Sequence, residues 1–151
     1  MNYTLYAHGG SGNHGCEAIV RSTISMLGGN PTLISGNTNE DIKYGISNIA
    51  NIRTECTDIN KLSLSFVSAY FSLKTKKDPL PMEKLRYKNG VASTKANEFA
   101  LSIGGDNYCY VDVKRYTMLH DLYKQRGAKT VLWGCSVEPK LLENAAIAND
   151  I

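Results

Sequence analysis

The stretch from Ala7 to Ile19, Ala-His-Gly-Gly-Ser-Gly-Asn-His-Gly-Cys-Glu-Ala-Ile, constrains the fold of this chain more than any other. It follows a short apolar run, Tyr3 to Ala7, and opens into a pattern in which Cys16, Ile19, Val20, Thr23 and Leu27 share one helical face. Glycines there admit backbone angles closed to residues with a Cβ, and they let another group approach the main chain. The N–H groups that begin a helix have no partner within it, and they carry the positive end of its dipole. A strand, a glycine loop and a helix start in that order make a place for a phosphate or carboxylate. The loop is therefore expected to form one wall of a ligand cleft.

The remaining chain repeats the alternation. Gly28-Gly29-Asn30-Pro31 ends the first helix, and Thr32 to Ser35 reads as a second strand. Thr38 or Asn39 is expected to cap a short helix through Tyr44, and a weak strand is expected over Asn51 to Thr54. Leu62 to Leu73 is an apolar run with serines between its members, followed by Lys74, Lys76 and Lys77. Asp78-Pro79-Leu80-Pro81 is expected to break the chain. A helix over Met82 to Lys95, interrupted near Asn89-Gly90, follows. Phe99 to Ile103 reads as a strand buried on both faces, Val113 to Arg126 as a helix, and Thr130 to Trp133 as a strand. Pro139 opens a last helix to about Asn149, and the pattern stops at Ile151 with no strand after it. Strands alternating with helices imply an α/β domain, a Rossmann-like doubly wound parallel sheet.

Composition narrows the function classes. The 151 residues suffice for one domain with one core. A formal net charge of +3 is too small to argue for a nucleic-acid partner. The start Met1-Asn2-Tyr3-Thr4 lacks the basic and long apolar regions of a secretory signal, so a soluble cytoplasmic protein is expected. Cys16, Cys56, Cys109 and Cys135 form no C-x-x-C pair, which disfavours zinc, and their wide spacing favours free thiols. Cys16 is placed at a helix start, where a thiolate is favoured, or is a small residue filling a tight corner.

Three apolar strands end in small or polar residues: His8-Gly9-Gly10 with Asn13, Gly104-Gly105-Asp106, and Gly134-Cys135-Ser136. In an open parallel sheet these ends share one edge, the edge where ligands bind. Taken with Asn13-x-Gly15-x-Glu17-Ala18-Ile19, Ser102-Ile103-Gly104-Gly105-Asp106 and Trp133-Gly134-Cys135-Ser136-Val137-Glu138-Pro139, they resemble the polysaccharide pyruvyl transferase family. The resemblance covers most of the chain and is weak between about Gly45 and Glu98. Cys16 stands where that family usually has aspartate, and Glu138 where it usually has glycine. The family is similar to two-domain glycosyltransferases of the GT-B type. Its members transfer a pyruvyl group from phosphoenolpyruvate to sugar hydroxyls of a cell-surface polysaccharide, forming a ketal. The resemblance implies that residues 1–151 are the N-terminal, acceptor-side half. The strongly basic residues that grip phosphoenolpyruvate would then lie in a C-terminal half, and no other cofactor is implied. The glycine loops themselves contain no cationic group.

Among the candidates, His14, like His8, can act as acid or base or can simply bond the backbone. Glu17 can bind a sugar hydroxyl or stabilise the helix start. Asp106 can hold a substrate hydroxyl or cap the following turn. Gly9, Gly10, Gly15, Gly104 and Gly105 give the substrate its close approach, with Asn13 and Ser136 shaping the loops. The run at residues 62–73 is either a helix packed on the sheet or a membrane-surface element serving a lipid-linked acceptor. A nucleotide or nucleotide-sugar binding module is the competing function. Gly10-x-Gly12-x-x-Gly15 has the form of a dinucleotide loop, but Ser35-Gly36-Asn37 stands where its acid is expected.

Overall fold

β1 (Tyr3–His8) has all six residues buried, because a strand lies on each side of it and helices cover both faces. The computed structural model describes residues 2–109 and 113–150. Five parallel strands form one sheet in the order β3-β2-β1-β4-β5, with β2 at Thr32–Ser35, β3 at Asn51–Thr54, β4 at Phe99–Ser102 and β5 at Lys129–Leu132. The strand order reverses direction at β1, so the gap between the carboxyl ends of β1 and β4 is the topological switch point of a doubly wound fold. The chain is thus an α/β, Rossmann-like domain.

Alternation along the central strands distributes the core to two sides. Tyr3 and Leu5 join Leu33, Leu101 and Ile103 beneath α1 (His14–Leu27), which contributes Val20 and Ile24. Tyr6, Ile34 and Ala100 face the other way, against Tyr87 and Val91 of α4 (Leu80–Ala92) and Met118, Leu119 and Tyr123 of α5 (Val113–Gln125). Ala7 departs from the alternation: its φ of 64° coincides with a register irregularity between Leu5 and His8, and the Asn107 amide donates to its carbonyl at 2.7 Å. β1 therefore ends in a break of register at the switch point.

Several boundaries differ from the sequence reading. α2 (Thr38–Lys43) is capped by Asn37, whose side chain accepts from the Glu40 N–H at 3.3 Å, rather than by Thr38 or Asn39. α4 begins at Leu80 with Pro81 in its first turn, where a missing N–H costs nothing, so the proline cluster starts a helix instead of only breaking the chain. It also runs unbroken through Asn89-Gly90. A Cβ on Gly90 would lie 2.8 Å from the Glu55 carbonyl, so glycine is what lets α4 press against that backbone. The last helix is split into α6 (Pro139–Leu142) and α7 (Ala145–Asp150); Ile151 lies outside the described residues. α3 (Leu64–Lys76) packs along α4, so it is not the sheet-covering helix that one reading expected.

Candidate functional site

The three loop tips converge on one edge, as the parallel sheet requires. The Ser136 N–H donates to the Gly105 carbonyl at 2.6 Å and the Cys135 thiol to the Ser102 carbonyl at 2.9 Å, while the Asn107 amide joins the β4 tip to the Ala7 carbonyl at 2.7 Å. Between the β1 and β4 tips lies a cleft of about 230 Å³. Gly9, Asn13, Gly104 and Asp106 line it, together with Ala7, His8 and Cys16. Asn107 and Glu55 contribute, and α5 supplies Arg115 and Tyr116.

Local chemistry explains how these groups arrive. The Asn13 side chain accepts from the Gly15 N–H at 2.9 Å and caps α1, so it ties the loop as its position implied while also bordering the cleft. Gly104 has no Cβ, which leaves room for Asn107 to cross it and reach the Ala7 carbonyl. Gly90 brings α4 against the Glu55 backbone. Arg115 stands in the first turn of α5 and donates to a Glu55 carboxylate oxygen at 2.7 Å. Burial pushes the Glu55 carboxyl above the usual carboxylate range, although the neighbouring guanidinium pulls the other way. Burial lowers and Glu55 raises the affinity of Arg115 for its proton, and the second effect prevails.

The β2 side of the same glycine loop is closed. The buried Asp41 carboxylate accepts from the Ser11 N–H at 3.0 Å, the Ser11 hydroxyl at 2.5 Å and His8 Nε2 at 2.9 Å. Glu40 accepts from the Gly12 N–H at 2.9 Å. A Cβ on Gly10 or Gly12 would meet the Glu40 carboxylate at 2.6 or 2.5 Å. These glycines thus make room for the protein's own carboxylates, and the loop donors at Ser11 and Gly12 are spent on them. Burial raises the pKa of Asp41, but the hydrogen bonds from His8 and Ser11 outweigh it and hold the carboxyl below its ordinary value.

Other candidates stand outside the cleft. His14 has a 75% exposed side chain; its Nδ1 lies 3.2 Å from Glu17, and its ring meets the Tyr44 ring edge-on. Glu17 accepts from Arg21 at 2.8 Å, and hydrogen bonds from Arg21 and then His14 lower its pKa. Gly10 faces Asn37 and Glu40, Gly15 faces the Asn13 side chain, and Gly105, at φ 55°, lies near Ile19. Ser136 is exposed and serves through its backbone. The thiolate reading of Cys16 is corrected: burial, then the carboxylates of Asp106 and Asp41, push its thiol up. All four cysteines are free. Among the described residues, no group of three or more His, Cys, Asp or Glu side chains is arranged to hold a metal ion.

Reading the sequence did not single out Glu55, Arg115, Asn107, Tyr116 or Asp41 as site residues. Two of them carried a positional signal: Glu55 directly follows a strand, and Arg115 falls in the first turn of a helix after the β4 loop. Asp41 carried none, because its role arises from the fold of α2 over the loop. Compared with known proteins, the chain matches no family model, no curated protein and no solved structure. What fold and site define together is a class: a Rossmann-like domain with a polar cleft at its switch point and a self-sealed glycine loop beside it.

Proposed function

We propose that this chain is the acceptor-side half of a transferase resembling the polysaccharide pyruvyl transferases, and that the β1–β4 cleft binds the sugar. The observation that carries this reading is the composition of that cleft. Asp106, Glu55, Asn13, Asn107 and Tyr116 border it together. Carboxylates and amides pair with sugar hydroxyls, and an aromatic ring covers a sugar's apolar face. The cleft's carboxylates outnumber its one guanidinium, which is already paired with Glu55. That balance suits a neutral polyol better than phosphoenolpyruvate, whose carboxylate and phosphate need several cations. In this reading those cations come from a second half; two sugar hydroxyl oxygens bond to C2 of phosphoenolpyruvate, one of their protons passes to its methylene carbon to make the ketal's methyl group, and the other leaves with inorganic phosphate as the C–O bond to phosphate breaks.

The competing nucleotide module would need the donors of Gly10-x-Gly12-x-x-Gly15, and the engagement of the Ser11 and Gly12 N–H groups speaks against it. The test incubates the protein expressed from its entire reading frame with phosphoenolpyruvate and a series of saccharides. The expected result is phosphate release that depends on the saccharide, with a pyruvyl ketal in the product. Asp106→Ala is expected to raise KM for the saccharide more than KM for phosphoenolpyruvate. Micromolar binding of NAD without any transfer would overturn the reading.

A further inference from the structure

The apolar content of α3 is divided between two sides, and only one of them is covered. Ala69 is buried where α3 meets α4, with Phe66 and Ser72 half-buried beside it. Leu64, Val67, Phe71 and Lys74 recur at helical spacing along the opposite side and are all exposed. Leu62, just ahead of the helix, is 94% exposed and Leu64 is 89% exposed. Large apolar side chains grouped this way on a soluble surface mark an interaction site.

From the sequence and the exposed face together we infer that α3 lies on anionic lipid bilayers, independently of the transferase reading. Residues 59–77 contain Lys61, Lys74, Lys76 and Lys77 and no acidic residue, and all four lysines are exposed. The Lys74 ammonium sits 5.7 Å from the centroid of the exposed Tyr70 ring, which keeps its charge on the apolar side. Apolar side chains flanked by four lysines, against the two bordering acids Asp58 and Asp78, match an interface of acyl chains beneath anionic headgroups. A second copy of the chain is a poorer occupant, since it would set these lysines against one another. A protein groove would have to fit side chains that stand out from the surface, whereas a bilayer accepts them without a matching shape. No helix among the described residues is long and apolar enough to cross a membrane, so the contact is peripheral.

Co-sedimentation with vesicles tests this. The protein is expected to pellet with mixed phosphatidylcholine–phosphatidylglycerol vesicles and not with pure phosphatidylcholine. The triple change Lys74→Glu, Lys76→Glu, Lys77→Glu is expected to lower the partition coefficient by roughly a hundredfold or more, at about fivefold for each lysine lost. The triple change Leu62→Ser, Leu64→Ser, Phe71→Ser is expected to weaken it at least about tenfold through lost apolar burial. Unchanged circular dichroism and melting confirm that either variant is folded, as expected for exposed positions. Absence of binding, equal binding to both vesicle types, or binding untouched by either variant overturns the proposal. So does concentration-dependent dimerisation abolished by the serine variant, which would assign the face to a second copy.

Discussion

On the β2 side of β1, two carboxylates from α2 close the glycine loop, whereas on the β4 side a cleft of about 230 Å³ stays open. Both sides are built at strand ends from glycines, polar side chains and backbone donors. The difference lies in what the next helix delivers. α2 is short and folds directly over the loop, so Asp41 and Glu40 occupy the place an anionic ligand would take. α5 brings Arg115 to Glu55, which pairs the charge at the cleft's edge without filling it. A glycine loop before a helix therefore does not by itself specify a phosphate site. The donors must also be left over after the protein's own acceptors are counted.

The largest expected effect comes from breaking the closed side. Asp41→Ala leaves His8, the Ser11 N–H and the Ser11 hydroxyl without their buried acceptor and should cost about 3–4 kcal/mol by urea denaturation. Next is Arg115→Met, which strands a buried carboxylate and should cost about 2–3 kcal/mol near neutral pH. The double change Arg115→Met with Glu55→Gln should recover most of that loss, and full additivity in the cycle would contradict the pairing.

Gly90→Ala sharpens the comparison from beneath. Helix propensity alone favours alanine by up to about 1 kcal/mol. The added Cβ meets the Glu55 backbone at 2.8 Å, however, so we expect a net loss of about 1–2 kcal/mol.

The two sides should also respond oppositely to pH. Asp41 has a lowered pKa in the folded chain, so its contribution is full above the ordinary carboxylate value and fades as pH falls. Glu55 has a raised pKa, so the folded chain holds its proton longer than the unfolded chain. Stability should fall as pH rises from the ordinary value of 4.5 to the folded one, then level off. Glu55→Gln should remove that fall, read from unfolding midpoints across pH 4 to 8, a window set about the ordinary value. The smallest effect is kinetic: with its thiol pushed up, Cys16 should react with iodoacetamide at pH 7.5 more slowly than an unstructured cysteine peptide.

Much of the architecture was legible in the residues. Thr32–Ser35 and Asn51–Thr54 match their expected strands, and the apolar runs before Gly9 and Gly104 mark β1 and β4, but the strand order that puts the switch point between those two left no mark in the residues. The cleft was legible where it is made of loop tips: Gly9, Asn13, Gly104 and Asp106 all border it. Its other groups come from segments distant in the chain. Arg115 lies 60 residues from Glu55, and no local pattern couples the two. The closure by Asp41 was equally hidden, since an acid in the first turn of a short helix ordinarily reads as a dipole partner. His14 and Glu17 looked like site residues because they sit in the loop's sequence, but the turn of α1 directs them toward Tyr44 and Arg21.

The central claim, that the ligand enters on the β4 side of the glycine loop and not at its Ser11 and Gly12 donors, is tested most directly by amide chemical shifts. The ¹⁵N-labelled protein would be titrated with saccharides and, separately, with phosphoenolpyruvate and NAD. The account predicts that saccharides move the amides of Gly9, Asn13, Asp106 and Asn107 and leave those of Ser11 and Gly12 in place. Shifts at Ser11 and Gly12 with an anionic ligand, and none at Asp106 or Asn107 with any saccharide, would contradict it.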